Sequence, residues 1–497
     1  MMTAVRLLAT WASVWAVGAA LAQTPSPQRF KTEAAYVTLS VVAADAQGSP
    51  VRDLRADEVI VTEAGRLQVL DKFIRHDAPP LSSRSQFMLS ERTGATTVDS
   101  SARRAYLIVL DLFHTSFGQR GRLDDAVRAF VERYLHAGDL AALVVLSVSP
   151  RASMFSSNPS VVLAALQGPG VSGRFAEGGL DLGSAEANEA FSGGTAALDA
   201  SATDRSLQQL TAVSRAFGAL TGARKTVLFF SEGVATDLFA GANPQARDAA
   251  QRVLRAQQDF LKSAAAADVT VYPIDIRGLA AIDPFSSGAP PGLREWESLR
   301  VLADGTGGLA FVGRRDMTPV FDHIVQDADN YYELGYYSTQ PSDGNTHPLE
   351  VMSRRPGVSL RTRPTAPLAS VRTLPGPEPA MRALLDRALP VSDGGLRLRA
   401  SAKVGQVATD TVRVDLQIEV LDWGPDDDRG SDSGAQVGVA IFDLEGRRVL
   451  ERIAALPAHG RVLTTSITAP RGPSQIRVAV LSGTNRAGSV MIDADLR

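Results

Sequence analysis

Arg103 to Thr115 reads RRAYLIVLDLFHT. Ala105 to Leu110 is an unbroken apolar and aromatic run with β-branched members, closed by the acid Asp111. Such a run, bounded by charge, predicts a strand buried on both faces. In an open parallel sheet, ligands bind in the loops at the carboxyl ends of the strands. Asp111, His114 and Thr115 fall in that loop, ahead of an amphipathic helix expected over 122–135.

Outward from this stretch, strands alternate with helices. Further strands are expected at Leu140 to Val148, Lys225 to Phe230, Val269 to Ile274 and Leu309 to Val312. Helical spacing marks Asn158 to Leu166, Leu198 to Leu220, Pro244 to Ala266, Arg294 to Ala303 and Thr318 to Ala328. The alternation predicts an α/β unit over 103–365, a Rossmann-like doubly wound sheet covered by helices on both faces. Gly168 to Gly194 is rich in glycine, serine and acids and reads as a surface excursion. Tyr331 to Tyr337 and Pro348 to Met352, separated by PSDGNTH, read as a hairpin at a sheet edge.

Two β-rich regions flank this unit. Residues 23–80 carry alternating apolar runs at Tyr36 to Ala44, Val59 to Val61 and Leu67 to Phe73, the last two joined by a turn at Glu63-Ala64-Gly65-Arg66. A small β module is expected there, followed by a linker over 81–102, in the stretch Asp77 to Ser101 whose Pro79-Pro80 and many Ser and Thr residues mark a connection or long loop. Residues 366–390, with prolines at 367, 375, 377 and 379, predict an extended connection. Beyond it, 391–497 holds short strands separated by turns, the pattern of a C-terminal β-sandwich. The acidic stretch PDDDRGSDSG at 425–434 lacks the ligand spacing of a calcium loop and reads as a solvated turn.

Composition limits the function classes. The 497 residues exceed the ~250–300 at which single cores stop growing, so several domains are expected. A net charge of −3 gives no electrostatic case for nucleic acid or an anionic membrane as the main partner. Arg6, the apolar run Leu7 to Leu21 and the small-residue site Ala20-Leu21-Ala22 describe a secretory signal peptide over 1–22, cleaved after Ala22. The alternative is a membrane anchor, for which about fifteen apolar residues are short of the ~20 a span needs. No other segment is apolar enough to span, so the expected location is periplasmic or extracellular. The chain has no cysteine, which excludes disulfides, thiolate metal sites and a cysteine nucleophile.

Several stretches together resemble the von Willebrand factor type A (VWA) domain, in the VWFA-related variant found in acidobacterial and other exported bacterial proteins. They are Gly222 to Gly233 (GARKTVLFFSEG), Val269 to Leu279 (VTVYPIDIRGL), Leu302 to Gly308 (LADGTGG) and Tyr331 to Tyr337 (YYELGYY), in that order. The leading module is similar to that family's as well, through Asp45, Gly48, Val51, Leu54, Asp57, Val59, Glu63 and Gly65. The likeness covers about 35–365.

The resemblance implies a divalent cation held at the top of the sheet by three loops, with Mg²⁺ suited to the oxygen ligands and Ca²⁺ or Mn²⁺ as alternatives. Carried over, Asp111 and Thr115 match the first loop, Thr195 matches the threonine of the second, and Glu232 replaces the aspartate of the third. Phe113 stands where a serine ligand belongs and cannot ligate, so the implied metal site is degenerate. The alternative for Asp111, Thr115 and Glu232 is helix capping and loop hydrogen bonding. His114 reads as a packed or solvated residue, and Asp275 with Arg277 as a local ion pair.

The chain contains no H-E-x-x-H, G-x-S-x-G or P-loop motif. Ser231 follows a strand but lacks the first glycine of a nucleophile elbow, and no catalytic residue is assigned. The expected function is non-enzymatic: an exported protein-binding or adhesion module whose partner is a protein. The alternative is a metal-free scaffold of the cell envelope, with a hydrolase as the remote third reading.

Overall fold

The computed structural model describes residues 36–77, 95–99, 104–136, 139–153, 155–156, 158–167, 195–218, 224–234, 244–278, 293–340, 346–366, 381–382, 384–385, 392–393, 396–407, 410–422, 435–443, 447–455, 462–482 and 487–496. The expected leader at 1–22, the glycine-rich stretch 168–194 and the acidic stretch 425–434 lie outside the described residues. The protein is a mixed α/β molecule with several sheets.

The first strands are β1 (Tyr36–Ala44), β2 (Val59–Glu63), β3 (Arg66–Gln68) and β4 (Leu70–Asp77). In β1 and β2 alternate side chains turn inward, so Val37, Leu39, Val41, Val59 and Val61 join one core. Ala64 and Gly65, at φ of 48° and 74°, make the tight turn between β2 and β3 that the sequence places there. A fifth strand, β5 (Ala95–Asp99), lies within the expected linker and pairs elsewhere.

The α/β unit follows as β6 (Arg104–Asp111), α1 (Arg120–Tyr134), β7 (Asp139–Leu146), β8 (Arg151–Ala152), α2 (Pro159–Gln167), α3 (Thr195–Phe217), β9 (Arg224–Phe230), α4 (Pro244–Ala267), β10 (Val269–Ile274), α5 (Leu293–Asp304) and α6 (Thr318–Asp329). The sheet order is β10-β9-β6-β7-β8, with the first four strands parallel and β8 antiparallel. Alternate residues of β6 enter different cores. Ala105, Leu107 and Val109 meet Leu210, Val213, Phe260 and Leu299 from α3, α4 and α5. Tyr106, Ile108 and Leu110 meet Leu123, Val127, Phe130, Phe321 and Ile324 from α1 and α6. This two-sided burial is why the strand reads as an unbroken apolar run. The strand expected at Leu309 to Val312 is reduced to a single bridge, Phe311 with Ile274, because only the N–H and C=O of Phe311 pair with the sheet.

At the amino end of the sheet Arg104 is paired. Arg104 donates to Asp139 through Nε (2.8 Å) and Nη2 (2.5 Å), and to Asp329 through Nη1 (2.7 Å). All three side chains are largely buried, and the bidentate fork satisfies both ends of the Arg104–Asp139 pair.

The strands that follow are β11 (Asn330–Tyr337), β12 (His347–Ser353), β13 (Ser359–Arg361) and β14 (Thr365–Ala366). The hairpin expected of β11 and β12 does not form. β11 lies between β1 and β4, whereas β12 lies between β2 and β14 in a second sheet. Tyr332, Leu334 and Tyr336 turn inward to the same core as Leu39 and Val61, and pairing on both sides makes β11 a central strand, not an edge. Strand pairing thus joins residues 330–366 to the leading module. This module packs at the amino end of the parallel sheet. Asp268, one residue before β10, accepts from Ser40 Oγ (3.0 Å) and pairs with Arg363, while the Arg224 guanidinium sits 4.9 Å over the Tyr331 ring. The carboxyl ends of the parallel strands face away from it.

The last region holds β15 (Ser392–Asp393), β16 (Arg397–Val407), β17 (Thr411–Asp422), β18 (Gln436–Asp443), β19 (Arg448–Ala455), β20 (Val462–Pro470), β21 (Gly472–Leu481) and β22 (Ala487–Leu496). They form two sheets, β15-β22-β21-β18-β19 and β20-β17-β16-β5, sharing a core of alternating residues such as Leu398, Val414, Val439 and Val478. Within the expected proline-rich connection, Met381, Leu384 and Leu385 pack on the outer face beside Phe442 and Leu481. The sandwich meets the α/β unit where Gln475 Nε2 donates to the Phe155 carbonyl (2.8 Å) and Ser156 Oγ to Asp493 (2.5 Å).

One half-buried carboxylate ties acid stability to the leading module. Glu333 on β11 is held by His76 (2.9 Å) and Lys72 (2.6 Å), and these bonds, the His76 bond above all, hold its carboxyl down at about 2. A depressed carboxyl contributes stability that is complete above its unfolded value of ~4.3 and is lost as pH falls through the folded value. Urea unfolding from pH 5 to pH 2 is expected to fall more steeply for the wild type than for Glu333→Gln. Parallel pH profiles would show that the Glu333 cluster does not contribute.

Candidate functional site

Three loops leave the carboxyl ends of β6, β9 and β10 and meet over the sheet. β6 lies next to both β7 and β9. The chain leaves β6 for α1 on one face and β9 for α4 on the other, so a crevice opens between the ends of β6 and β9. Asp111 from β6 and Ser231 after β9 bridge it: Ser231 Oγ donates to Asp111 Oδ2 at 2.9 Å. Both are about 1% exposed.

Asp111 has two further partners. The Phe113 N–H donates to Oδ1 (3.2 Å), and His114 Nδ1 lies 2.7 Å from Oδ2. A carboxylate only accepts, so Nδ1 carries the proton and His114 donates. In the neutral ring Nε2 then accepts from Thr203 Oγ1 on α3, at 3.1 Å. The His114 carbonyl accepts from the Glu232 N–H (3.1 Å), so the histidine fastens the β6 loop to the β9 loop through its backbone and to α3 through its ring.

The remaining residues close the loops. Glu232 Oε1 accepts from the N–H and hydroxyl of Ser116, each at 2.7 Å. Thr115 Oγ1 donates to the Asp111 carbonyl (2.7 Å). Gly233 adopts φ +82°, and a Cβ there would lie 2.3 Å from the Glu295 carbonyl oxygen, so only glycine fits. Asp275 and Arg277 form the local ion pair expected of them, at 3.0 Å, and Asp275 also accepts from Trp296 Nε1 (2.6 Å). Arg277 Nη2 reaches the Glu232 carbonyl (2.6 Å), which links the third loop to the second.

Of the residues the sequence assigned to a cation, Asp111, Thr115 and Glu232 do meet at the top of the sheet. Thr195 is the first residue of α3. The groups do not fit a Mg²⁺ ion as arranged. Asp111 is taken up by donors, the Thr115 hydroxyl bonds a carbonyl, and Glu232 holds Ser116. Phe113 is packed against the core. Among the described residues no group of three or more His, Cys, Asp or Glu is placed to hold a metal.

Sequence reasoning set His114 aside as a bystander and considered Ser231 only as a nucleophile. The single sequence signal for His114 was its spacing of three from Asp111 in the loop. Thr203, 89 residues from His114 in the chain, carries none. Thr203, His114 and Asp111 share the connectivity of a hydroxyl–imidazole–carboxylate relay. The neighbouring backbone N–H groups are spent, however: Gly233 donates to Ser231 Oγ (3.1 Å) and Val234 to Ser298 Oγ (2.9 Å). Neither is left to stabilise an oxyanion. A cavity of about 650 Å³ opens beside the network, walled by Leu207, Phe229, Val253 and Leu302, with Asp111, His114 and Ser231 among its lining residues.

Asp111→Ala removes the acceptor for three donors and is expected to destabilise the fold by about 2–4 kcal/mol, since each buried group left unpaired costs about 1–3 kcal/mol. Asp111→Asn, which keeps a carbonyl acceptor, is expected to cost less. Denaturant unfolding of the two variants measures this. A loss under about 1 kcal/mol for the alanine variant would show that the network does not hold the loops.

No family model matches the chain, and no curated protein matches it. Among solved structures the chain is similar to an endonuclease/exonuclease/phosphatase from Beutenbergia cavernae, at 12% identity and a TM-score of 0.15. That similarity covers 49% of this chain and 60% of the other, so this chain spans less than two thirds of its length, and at that TM-score it carries no argument about fold or function.

Proposed function

We propose that this chain is an exported, non-catalytic protein-binding module of the VWA type, with a doubly wound α/β unit that presents its carboxyl-end loops to a protein partner without a bound cation. The observation that carries this reading is the internal bonding of Asp111. His114, Ser231 and the Phe113 N–H occupy the carboxylate that the VWA resemblance assigns to a metal. The surrounding loops are tied to one another through Glu232, Ser116 and Arg277 and make a preorganised surface, which lowers the ordering cost of association. The leading β module packs at the opposite end of the sheet and leaves these loops open. Adhesion or assembly at the envelope suits such a module.

Isothermal titration of the mature protein with millimolar Mg²⁺, Ca²⁺ or Mn²⁺ is expected to give no binding heat. Capture of a protein from envelope extract is expected to be unchanged by chelator. Saturable heat with any of the three ions, or capture abolished by chelator, would restore the cation-dependent site. Failure to capture any protein would favour the structural scaffold.

A second reading is favoured by the cavity of about 650 Å³, whose apolar walls and few polar groups at a strand crossover suit a small amphipathic ligand. Native mass spectrometry of the protein purified from its own host tests it. A retained small molecule that Leu207→Trp excludes supports this reading, and an unadorned protein mass counts against it.

A further inference from the structure

A second concavity, about 670 Å³, lies on the α1 and α6 side of the same end of the sheet. Its rim carries five arginines, Arg122 and Arg133 from α1, Arg277 after β10, and Arg314 and Arg315 ahead of α6, facing only Asp125 and Asp316. Arg277 is committed to Asp275 and to the Glu232 carbonyl. The other four make no ion pair among the described residues. Arg122 has only a long contact to Gln119 (3.5 Å), and Arg133 lies 5.8 Å from the Tyr134 ring. All four are exposed. The one other nearby carboxylate on α6, Asp322, already accepts from Tyr134 Oη at 2.7 Å. Four unneutralised guanidinium groups around one hollow, in a chain whose net charge is −3, are a local reversal of sign.

The floor has a different character. Half-buried Ala129, Met317 and the Tyr134 ring give it apolar surface between the charged rims, with the buried Ala126, Ile276 and Phe321 beneath them. The N-terminus of α6 adds the positive end of a twelve-residue helix, partly met by Asp316, which accepts from the Thr318 N–H (2.9 Å). An apolar floor is of no use to a free phosphate, and the hollow far exceeds the size of one such ion. Guanidinium forks bind carboxylates in bidentate pairs, and an apolar floor takes up the side chains between them.

We infer that this groove is the docking site for an acidic peptide segment of the protein partner, one whose carboxylates pair with Arg122, Arg133, Arg314 and Arg315 while interleaved apolar residues lie on Ala129 and Met317. The assignment rests on the protein-binding reading above and specifies the chemistry of its partner. Encounter with such a segment is steered by the charge and weakened by salt.

Fluorescence anisotropy with a labelled nonapeptide of three Asp-Glu-Leu repeats tests the assignment, using the full mature chain. The wild type is expected to bind the peptide, to lose affinity several-fold between 25 and 300 mM NaCl, and to ignore a peptide of three Asn-Gln-Leu repeats. Arg314→Glu combined with Arg315→Glu is expected to lower affinity at least tenfold, with an unchanged thermal midpoint because both side chains are exposed and unpaired. Arg300→Glu, outside the groove, is expected to bind as the wild type does. The assignment is overturned if the wild type fails to bind, if the double variant binds as tightly as the wild type, or if inorganic phosphate or phosphatidylglycerol vesicles are bound in preference to the peptide. Should the peptide fail while envelope extract still yields a captured protein, the groove is wrong and the protein-binding reading stands. Capture of nothing at all sinks both.

Discussion

Asp111 is a carboxylate at the end of a strand buried on both faces, and that placement constrains everything above the sheet. A charge so nearly excluded from water must be compensated by hydrogen bonds or by a counter-ion. Here the compensation is internal: a hydroxyl from the β9 loop, an imidazole from its own loop and a backbone N–H. Each donor fixes a different element. Ser231 brings β9 to β6, and His114 carries the connection on to Thr203 in α3. The same histidine's carbonyl then holds Glu232, whose side chain holds Ser116 at the threshold of α1. One buried charge thus coordinates two strand ends and the elements on both sides of them. His114 and Ser231 both donate to Oδ2, so that oxygen is committed to the loops.

The two β regions complete the frame. The leading module, closed by residues 330–366, is anchored at the amino end of the parallel sheet by Asp268, Arg363 and the Arg224–Tyr331 stack. The sandwich is anchored near β8 by Gln475 and Asp493. Pairing of β5 with β16 binds the sandwich to the chain on the near side of β6 as well. Neither anchorage involves the loops after β6, β9 and β10. The ends of the sheet therefore differ: one is assembled against the leading module, and the other carries the loops after β6, β9 and β10.

What could be read from the sequence follows from how local the signal is. β6 was legible because burial on both faces writes six apolar residues in a row, and β7, β9 and β10 were legible for the same reason. The inward alternation of β1 and β2 gave the leading module. Pairing partners were another matter. YYELGYY announces a strand, but nothing in its own residues says that it threads between β1 and β4, roughly 250 to 300 residues earlier in the chain. β5 went unread because ATTVD is short and embedded in polar, Ser- and Thr-rich sequence. At the site, Asp111, Phe113 and Glu232 were identified from a motif and its breakage, whereas His114 acquired a role only through Thr203 and Asp111, a contact set by tertiary packing.

On the proposed reading, Phe113 in place of a serine ligand and the arginines on α1 and ahead of α6 bear on the same question, how a surface without a cation would attract an anionic partner. A bound divalent ion would supply two positive charges at one point, with the strict geometry of its coordination shell. The guanidinium groups of Arg122, Arg133, Arg314 and Arg315 supply positive charge over a broader area, beside an apolar floor. Recognition by such a surface tolerates variation in where each carboxylate lies, and it responds to salt more than to chelators. Phe113 packs against the core and its N–H donates to Asp111, so the carboxylate serves to hold the loops; on the reading proposed above, the charge that meets a partner lies at the rim of the neighbouring groove.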